Sequence, residues 1–330
     1  MPRVRLQPSG LACQVVPGCD LLSAAAISGI RVPAACRNGV CELCEARLIS
    51  GQALNTRNQK PITVGERLMM CRTLALTDLE LEIPAVMAPG NYQPRKFQAK
   101  VVDVRSISHD VYRVELQLPG RRDVAFHAGQ YLSVNLPGVD PCYFSIASSP
   151  SASNIELHIQ ASPDWVSAQK VIDALTSGQD VSVELPHGKA CLATVPARPM
   201  VLVAAGTGFA QIKSLVEYLQ ETGFSHPVKL FWGVRKREDM YLRSLAQQWQ
   251  EDWAPFTFQP VVGDDEDNDW GGHHDQLVRA VLATGCDWSD VEVHASGSPT
   301  MVYTLMDALL EAGLPAQAFF SDVLEYAPRE

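Results

Sequence analysis

The period at which apolar residues recur changes along the 330-residue chain, and each change marks a different kind of building block. From Val4 the run Val-Arg-Leu-Gln alternates at a period of two, Pro8-Ser9-Gly10 supplies a turn, and residues 11–16 return, which predicts a hairpin. Asp20 then precedes residues 21–28, whose spacing and cap predict a helix stopped at Gly29. After a cysteine-rich loop, Ala46-Arg-Leu-Ile-Ser reads as a further strand. Short alternating runs at 99–104, 111–116, 131–136, 155–159 and 181–185, with turn residues between them, predict a small antiparallel barrel. Beyond Pro199 the pattern changes again. Met200-Val-Leu-Val-Ala-Ala is continuously apolar, as a strand covered on both faces requires, and Gly206-Thr207-Gly208 opens an amphipathic helix to about Glu221. Strands at 229–233, 256–262 and 291–296, with a helix from Pro299, continue a βαβ rhythm that predicts a parallel nucleotide-binding sheet.

The chemistry of the first segment lies in Cys36, Cys41 and Cys44, followed after 26 intervening residues by Cys71. Cys-x4-Cys-x2-Cys with a distant fourth cysteine is the ligand spacing of a plant-type 2Fe–2S cluster. Gly39 lets the loop turn sharply, and Pro33, Ala34 and Ala35 keep it small. Structural zinc is the competing assignment, but it ordinarily uses two short Cys-x2–4-Cys knuckles, and only one is present. Cys13, Cys19, Cys191 and Cys286 read as small buried hydrophobes, with Cys142 an exception taken up below.

Charge excludes some functions. The formal net charge of −10 argues against nucleic-acid binding. Residues 196–330 hold 20 acidic against 9 basic side chains, including the run at 264–269, which reads as a solvated loop. No run of about 18 apolar residues predicts a membrane span, and Met-Pro-Arg-Val-Arg lacks the features of a secretory signal, so a cytoplasmic protein without membrane insertion is expected.

Further motifs are Phe126-His-Ala-Gly-Gln-Tyr131, Tyr143-Phe-Ser-Ile-Ala-Ser148, Gly206-Thr-Gly-Phe-Ala210, Trp232-Gly-Val-Arg235 with Asp239 and Tyr241, Ser296-Gly-Ser-Pro299, and Phe319-Phe-Ser-Asp322. In this order the chain resembles the iron–sulfur flavoprotein reductases of the ferredoxin-NADP reductase superfamily, over essentially its full length. The resemblance implies a multidomain protein. Residues 1–87 would form a β-grasp ferredoxin domain of α+β type and 88–96 a linker. Residues 97–196 would form an antiparallel FAD-binding β-barrel and 197–330 an NAD(P)-binding α/β domain with a parallel sheet.

It also implies site residues. Tyr143, Phe144, Ser145 and Ile146 would lie by the flavin ring, with Ser145 bonding its N5, while His158, Ile159 and Ser167 would line its phosphate side. Gly206, Thr207, Gly208, Gly233, Arg235 and Gly297 would hold the nicotinamide nucleotide, Ser296 would stand beside the nicotinamide, and Phe320 and Asp322 would pack by the flavin. Ser145 and Ser296 are the candidate catalytic residues, and Arg235, Lys236 and Arg237 leave NADH and NADPH both open. Three positions depart from the family. Cys142 replaces an arginine that clamps the flavin diphosphate, Gln160 a second basic residue and Asp164 a glycine, so weakly retained FAD is expected. A hydride carries two electrons and the cluster accepts one. The expected function is therefore transfer from NAD(P)H through FAD and the cluster to an acceptor protein, a terminal oxygenase or a CDP-deoxysugar dehydratase, by a monomer. The alternatives are a free-flavin reductase and a degenerate redox or binding protein.

Overall fold

The computed structural model describes every residue except 35, 84, 85, 87, 89–91, 120–123, 264–274 and 330. Ala35, the centre of the expected linker and the acidic run at 264–269 therefore lie outside the described residues. The chain forms two compact units, Met1–Tyr92 and Gln93–Glu330.

In the first unit β1 (Arg3–Gln7) and β2 (Ala12–Gln14) pair antiparallel across the Pro8–Gly10 turn. Helix α1 (Leu21–Ile27) begins where Asp20 Oδ1 accepts the Ser23 N–H at 2.9 Å. It buries Leu21, Leu22, Ala24 and Ala25 in the core with Leu6, Leu48 and Leu81. Then come β3 (Glu45–Ser50), β4 (Ala53–Asn55), β5 (Pro61–Ile62), β6 (Arg67–Met69), β7 (Thr73–Ala75) and β8 (Leu79–Glu82). A five-stranded sheet runs in the order β2-β1-β8-β3-β6, its first and last long strands β1 and β8 lying parallel side by side. That is the β-grasp arrangement, with α1 as the clasped helix.

The second unit opens with β9 (Arg95–Ser106), β10 (Val111–Gln117), β11 (Tyr131–Asn135), β12 (Cys142–Ser145), β13 (Ile155–Gln160), α2 (Val166–Thr176) and β14 (Val181–His187). The twelve-residue β9 is long enough to pair with β14 at its start and β10 at its end, so it serves both halves of a six-stranded antiparallel sheet, β12-β11-β14-β9-β10-β13. A bridge between Ile146 and Leu157 draws the two edges together into a nearly closed barrel. Helix α2 is an element that the reading of 155–185 as strands did not include. It packs Val171, Ile172 and Leu175 into the barrel core beside Ile159.

The remaining elements are β15 (Met200–Ala205), α3 (Phe209–Glu221), β16 (Val228–Val234), α4 (Arg243–Asp252), β17 (Phe256–Val262), α5 (Asp275–Leu282), β18 (Glu292–Ser296), α6 (Pro299–Glu311), β19 (Phe319–Phe320) and α7 (Val323–Tyr326). Their parallel sheet runs β17-β16-β15-β18-β19. Strand order reverses between β15 and β18, and a crevice at the carboxyl ends of those strands is where such folds bind ligands. Among the described residues no helix is long and apolar enough to cross a membrane.

A buried charge cluster joins barrel and sheet. Glu156 on β13 meets Lys213 Nζ of α3 at 3.3 Å, Arg113 of β10 at 3.0 Å and His158 Nε2 at 2.8 Å. Lys213 also pairs with Glu217 at 2.6 Å, and Ser214 Oγ donates to the Ser148 carbonyl at 2.8 Å. Burial pushes the Glu156 carboxyl upward, yet His158, Lys213 and Arg113 together hold it well below the usual carboxylate range. Removing one partner of a buried pair leaves an uncompensated charge. Lys213→Ala is accordingly expected to cost about 3 kcal/mol, read as a lower urea midpoint for the Gln93–Glu330 unit.

Candidate functional site

The four cysteines come together on the loop between α1 and β3 and on a single 3-10 turn, Met70–Arg72, that carries Cys71. Positive φ at Arg37 (51°), Gly39 (82°) and Glu42 (59°) curls the loop. For the two non-glycine residues this conformation costs roughly 1–2 kcal/mol each. What it achieves is a set of inward N–H groups: Asn38, Cys41 and Val40 donate to Cys36 Sγ, the Cys41 contact at 3.3 Å, and Gly39 donates to Cys71. These bonds, led by that from Asn38, lower the Cys36 thiol, whereas burial raises Cys71, whose sulfur lies 3.4 Å from that of Cys44. The sulfurs thus stand as two pairs, Cys36 with Cys41 and Cys44 with Cys71. No three His, Cys, Asp or Glu side chains among the described residues gather as a site for a single metal ion. Paired thiols wrapped in backbone donors fit a dinuclear, anionic iron–sulfur centre, to which all four cysteines would bind.

A second site occupies the seam between barrel and parallel sheet. It is a cavity of about 1690 Å³. Its barrel wall includes Tyr131, Cys142, Tyr143, Phe144, Ser145, His158 and Ser167, and its sheet wall Gly206, Thr207, Gly208, Gly233, Arg235, Ser296, Gly297 and Asp322. The turns after β15 and β18 therefore meet at the strand-order reversal, as the sheet topology requires. The glycines there do two different jobs. Gly206 has φ +54° and open space beside it, leaving room for a ligand. A Cβ on Gly208 would sit 2.2 Å from the Ser296 carbonyl oxygen, and one on Gly297 would strike Met301 and Ala205. Those two are small because the β15 and β18 turns pack against each other, a packing role that Gly208 and Gly297 hold while still lining the cavity.

Other expected residues fall differently. Ile146 and Ile159 are fully buried in the barrel core and do not line the cavity. Phe320 stacks on His294 with ring centres 4.8 Å apart and is likewise absent from the lining. His158 lines the cavity, but both ring nitrogens are engaged, Nε2 by Glu156 and Nδ1 by the Tyr241 hydroxyl at 3.1 Å. Of the three cations after β16 only Arg235 lines the cavity, together with the carboxylate-bearing Asp239. Residues that the motifs did not indicate are His187, Gln211 and Trp165. His187 stacks on Tyr131 with centres 5.5 Å apart, and Gln211 Nε2 donates to Asp322 Oδ2 at 2.9 Å. A glutamine on the core-facing side of α3 was the available signal for Gln211. Asp322 is buried, its Oδ1 has no hydrogen-bond partner, and burial raises its carboxyl to about 7.

The cavity's size, the open side of Gly206 and the unpartnered Asp322 oxygen fit a flavin and a nicotinamide nucleotide together. Comparison with known proteins agrees. The 2Fe-2S iron-sulfur cluster binding domain matches residues 4–76, the oxidoreductase FAD-binding domain residues 98–191 and the oxidoreductase NAD-binding domain residues 202–306. Reductase component 2 of terephthalate 1,2-dioxygenase from Comamonas sp. is 30% identical, covering 99% of this chain and 98% of its own. The CDP-6-deoxy-L-threo-D-glycero-4-hexulose-3-dehydrase reductase of Yersinia pestis is 30% identical, covering 97% of each. The crystal structure of the Amycolatopsis cytochrome P450 reductase GcoB shares the fold at a TM-score of 0.63, with 23% identity and 98% of each chain covered. The chain belongs to the iron–sulfur flavoprotein reductases of the ferredoxin-NADP reductase superfamily. It is an NAD(P)H-dependent oxidoreductase in which electrons pass from the nicotinamide nucleotide through FAD and a 2Fe–2S cluster to a partner.

Two outcomes follow from this geometry. Gly39→Ala must hold φ +82° while its Cβ lies 3.1 Å from Arg72 Cγ, and it is expected to purify with less than half the iron and sulfide per chain. Asp322 binds its proton more tightly in the folded chain than in the unfolded one. Its contribution to stability is therefore full below about pH 4 and is lost as pH rises to about 7. Asp322→Asn removes that loss. Its melting temperature is expected to match wild type at pH 4 and to exceed it by roughly 5 °C at pH 8.

Proposed function

We propose that this reductase draws hydride from NADH and passes single electrons to a separate enzyme, a terminal oxygenase or a CDP-deoxysugar dehydratase. One observation carries the reading: Ser145 at the end of β12, Ser296 at the end of β18 and Asp322 after β19 line a single cavity although some 150 residues separate the first two. Flavin bound there supplies the conversion of a hydride into single electrons. The chain's own side chains supply position and protons. The Ser145 hydroxyl would hydrogen-bond the flavin ring, Ser296 would fill the space beside the nicotinamide, and Asp322, whose carboxyl is raised to about 7, would exchange a proton near neutral pH. Tyr131, His187 and Tyr143 form an aromatic wall of the cavity, their rings packed edge to face or stacked at 5.5–6.0 Å.

NADH is favoured by Asp239. Its carboxylate lines the cavity and accepts the Lys236 N–H at 3.0 Å, while the side chains of Lys236 and Arg237 are absent from the lining. A carboxylate accepts hydrogen bonds from ribose hydroxyls and repels a 2′-phosphate. The partner class rests on the relatives, which are named as reductases of a terephthalate dioxygenase and of a CDP-sugar dehydrase. Among the described residues the barrel wall of the cavity carries no lysine or arginine, which lends weight to a second reading, a free-flavin reductase.

Reduction of a one-electron acceptor protein is expected to be at least tenfold faster with NADH than with NADPH at equal low concentration, and to be lost in Cys71→Ser. That variant should keep NADH-driven reduction of ferricyanide. An unchanged acceptor rate in Cys71→Ser, rising in proportion to added flavin, would establish the free-flavin reading instead.

A further inference from the structure

The barrel must hold a cofactor whose diphosphate is dianionic, yet among the described residues its share of the cavity wall contains no lysine or arginine. Between Ser108 and His187 the lining carries the carboxylates of Asp110 and Asp164 and the imidazoles of His109, His158 and His187. His158 has both nitrogens occupied, as above, and Asp110 is already satisfied by Gln160 Nε2 and Ser162 Oγ, both at 2.7 Å. Among the described residues, then, the barrel wall offers no cation to pair with this half of the molecule. Neutral donors and apolar surface are what remain.

The apolar surface is conspicuous for its exposure. Trp232, Trp249 and Trp288 are buried in the second unit, whereas Trp165 is 53% exposed and the neighbouring Val166 is 61% exposed, and both line the cavity. An indole is ordinarily withdrawn from water, and two adjacent large apolar side chains left open on a cavity wall mark a surface that a ligand covers. Their position in the chain adds to this. Trp165 is the residue before α2, it makes no side-chain cap, and Asp164 on its other side also lines the cavity. The one flat, uncharged and aromatic part of FAD beyond the flavin ring is its adenine.

We propose that Trp165 is the adenine platform of this reductase: the AMP half of FAD is held by stacking on the indole, with Val166 beneath its edge, in place of a cationic clamp on the diphosphate. Base-on-aromatic stacking has the required strength. It also has a salt signature opposite to that of an ion pair, because salt screens the repulsion between Asp164 and the diphosphate and has no attraction to weaken. The proposal rests on FAD occupying the barrel wall, and the experiment separates the two.

The test is equilibrium binding of FAD, FMN and riboflavin to the flavin-stripped full-length protein, followed by flavin fluorescence, with no turnover required. Wild type is expected to bind FAD more tightly than FMN or riboflavin. Trp165→Ala should weaken FAD roughly tenfold to a hundredfold while leaving FMN and riboflavin unchanged, and Trp165→Phe should recover much of the loss. Raising salt from 50 to 500 mM should leave the wild-type FAD dissociation constant unchanged or lower it. The proposal is overturned if Trp165→Ala leaves FAD affinity intact, if it weakens all three flavins alike so that the indole serves the ring or the fold, or if FAD binding weakens steeply with salt. Failure of every flavin to bind wild-type protein would instead overturn the placement of flavin on the barrel.

Discussion

One buried carboxylate holds the reductive half of this protein together. Glu156 takes a lysine from α3, an arginine from β10 and a histidine from its own strand, and it does so where water is scarce. In that setting attraction between opposite charges is strong and an unpaired charge is costly, so the arrangement is stable only when every partner is present. The same seam carries Ser214 on the Ser148 carbonyl and Glu217 and Glu221 on Ser149. Polar contacts of fixed length set the distance between barrel and sheet, and that distance sets the cavity. A purely apolar seam of equal area would leave the two lobes freer to slide.

The cavity inherits its character from this construction. His158 is drawn into the seam by Glu156 and is spent there. With Glu156 ionised the histidine donates through Nε2, which leaves Nδ1 to accept from Tyr241. The imidazole orients a tyrosine at the cavity wall without offering a free polar atom to a ligand. Asp322 lies at the other extreme, buried and lacking a partner at one oxygen, and so it is poised near neutrality where a carboxylate is ordinarily charged. Two carboxylates in one unit are thus driven in opposite directions by their surroundings.

The iron–sulfur loop follows a separate logic in its own unit. There the chain accepts left-handed backbone at Arg37 and Glu42 so that amide groups face sulfur, and the packing of Gly39 against Arg72 ties the loop to the segment that carries Cys71. Local strain is tolerated because the ligated centre repays it.

Much of this was legible in the linear chain. Cysteine spacing, the alternation of the barrel strands and the continuous apolar run before Gly206 name the modules, because each reflects a period or a spacing that the backbone geometry imposes locally. The cap at Asp20 and the helix start at Pro299 were equally local. What could not be read there depends on residues remote in sequence arriving at one place. Helix α2 stands between two runs read as barrel strands, and only the packed barrel shows the core that its buried Val171, Ile172 and Leu175 enter. Gly208 is glycine because of the Ser296 carbonyl, nearly ninety residues on; Gln211 matters because Asp322 lies against it; and Phe320 turned to His294 instead of the cavity. Trp165 was an ordinary tryptophan until the cavity showed it exposed. Periodicity names elements and motifs name chemistry, but burial, partner and charge balance at a site belong to the packed chain alone, since they arise between elements that no local pattern connects.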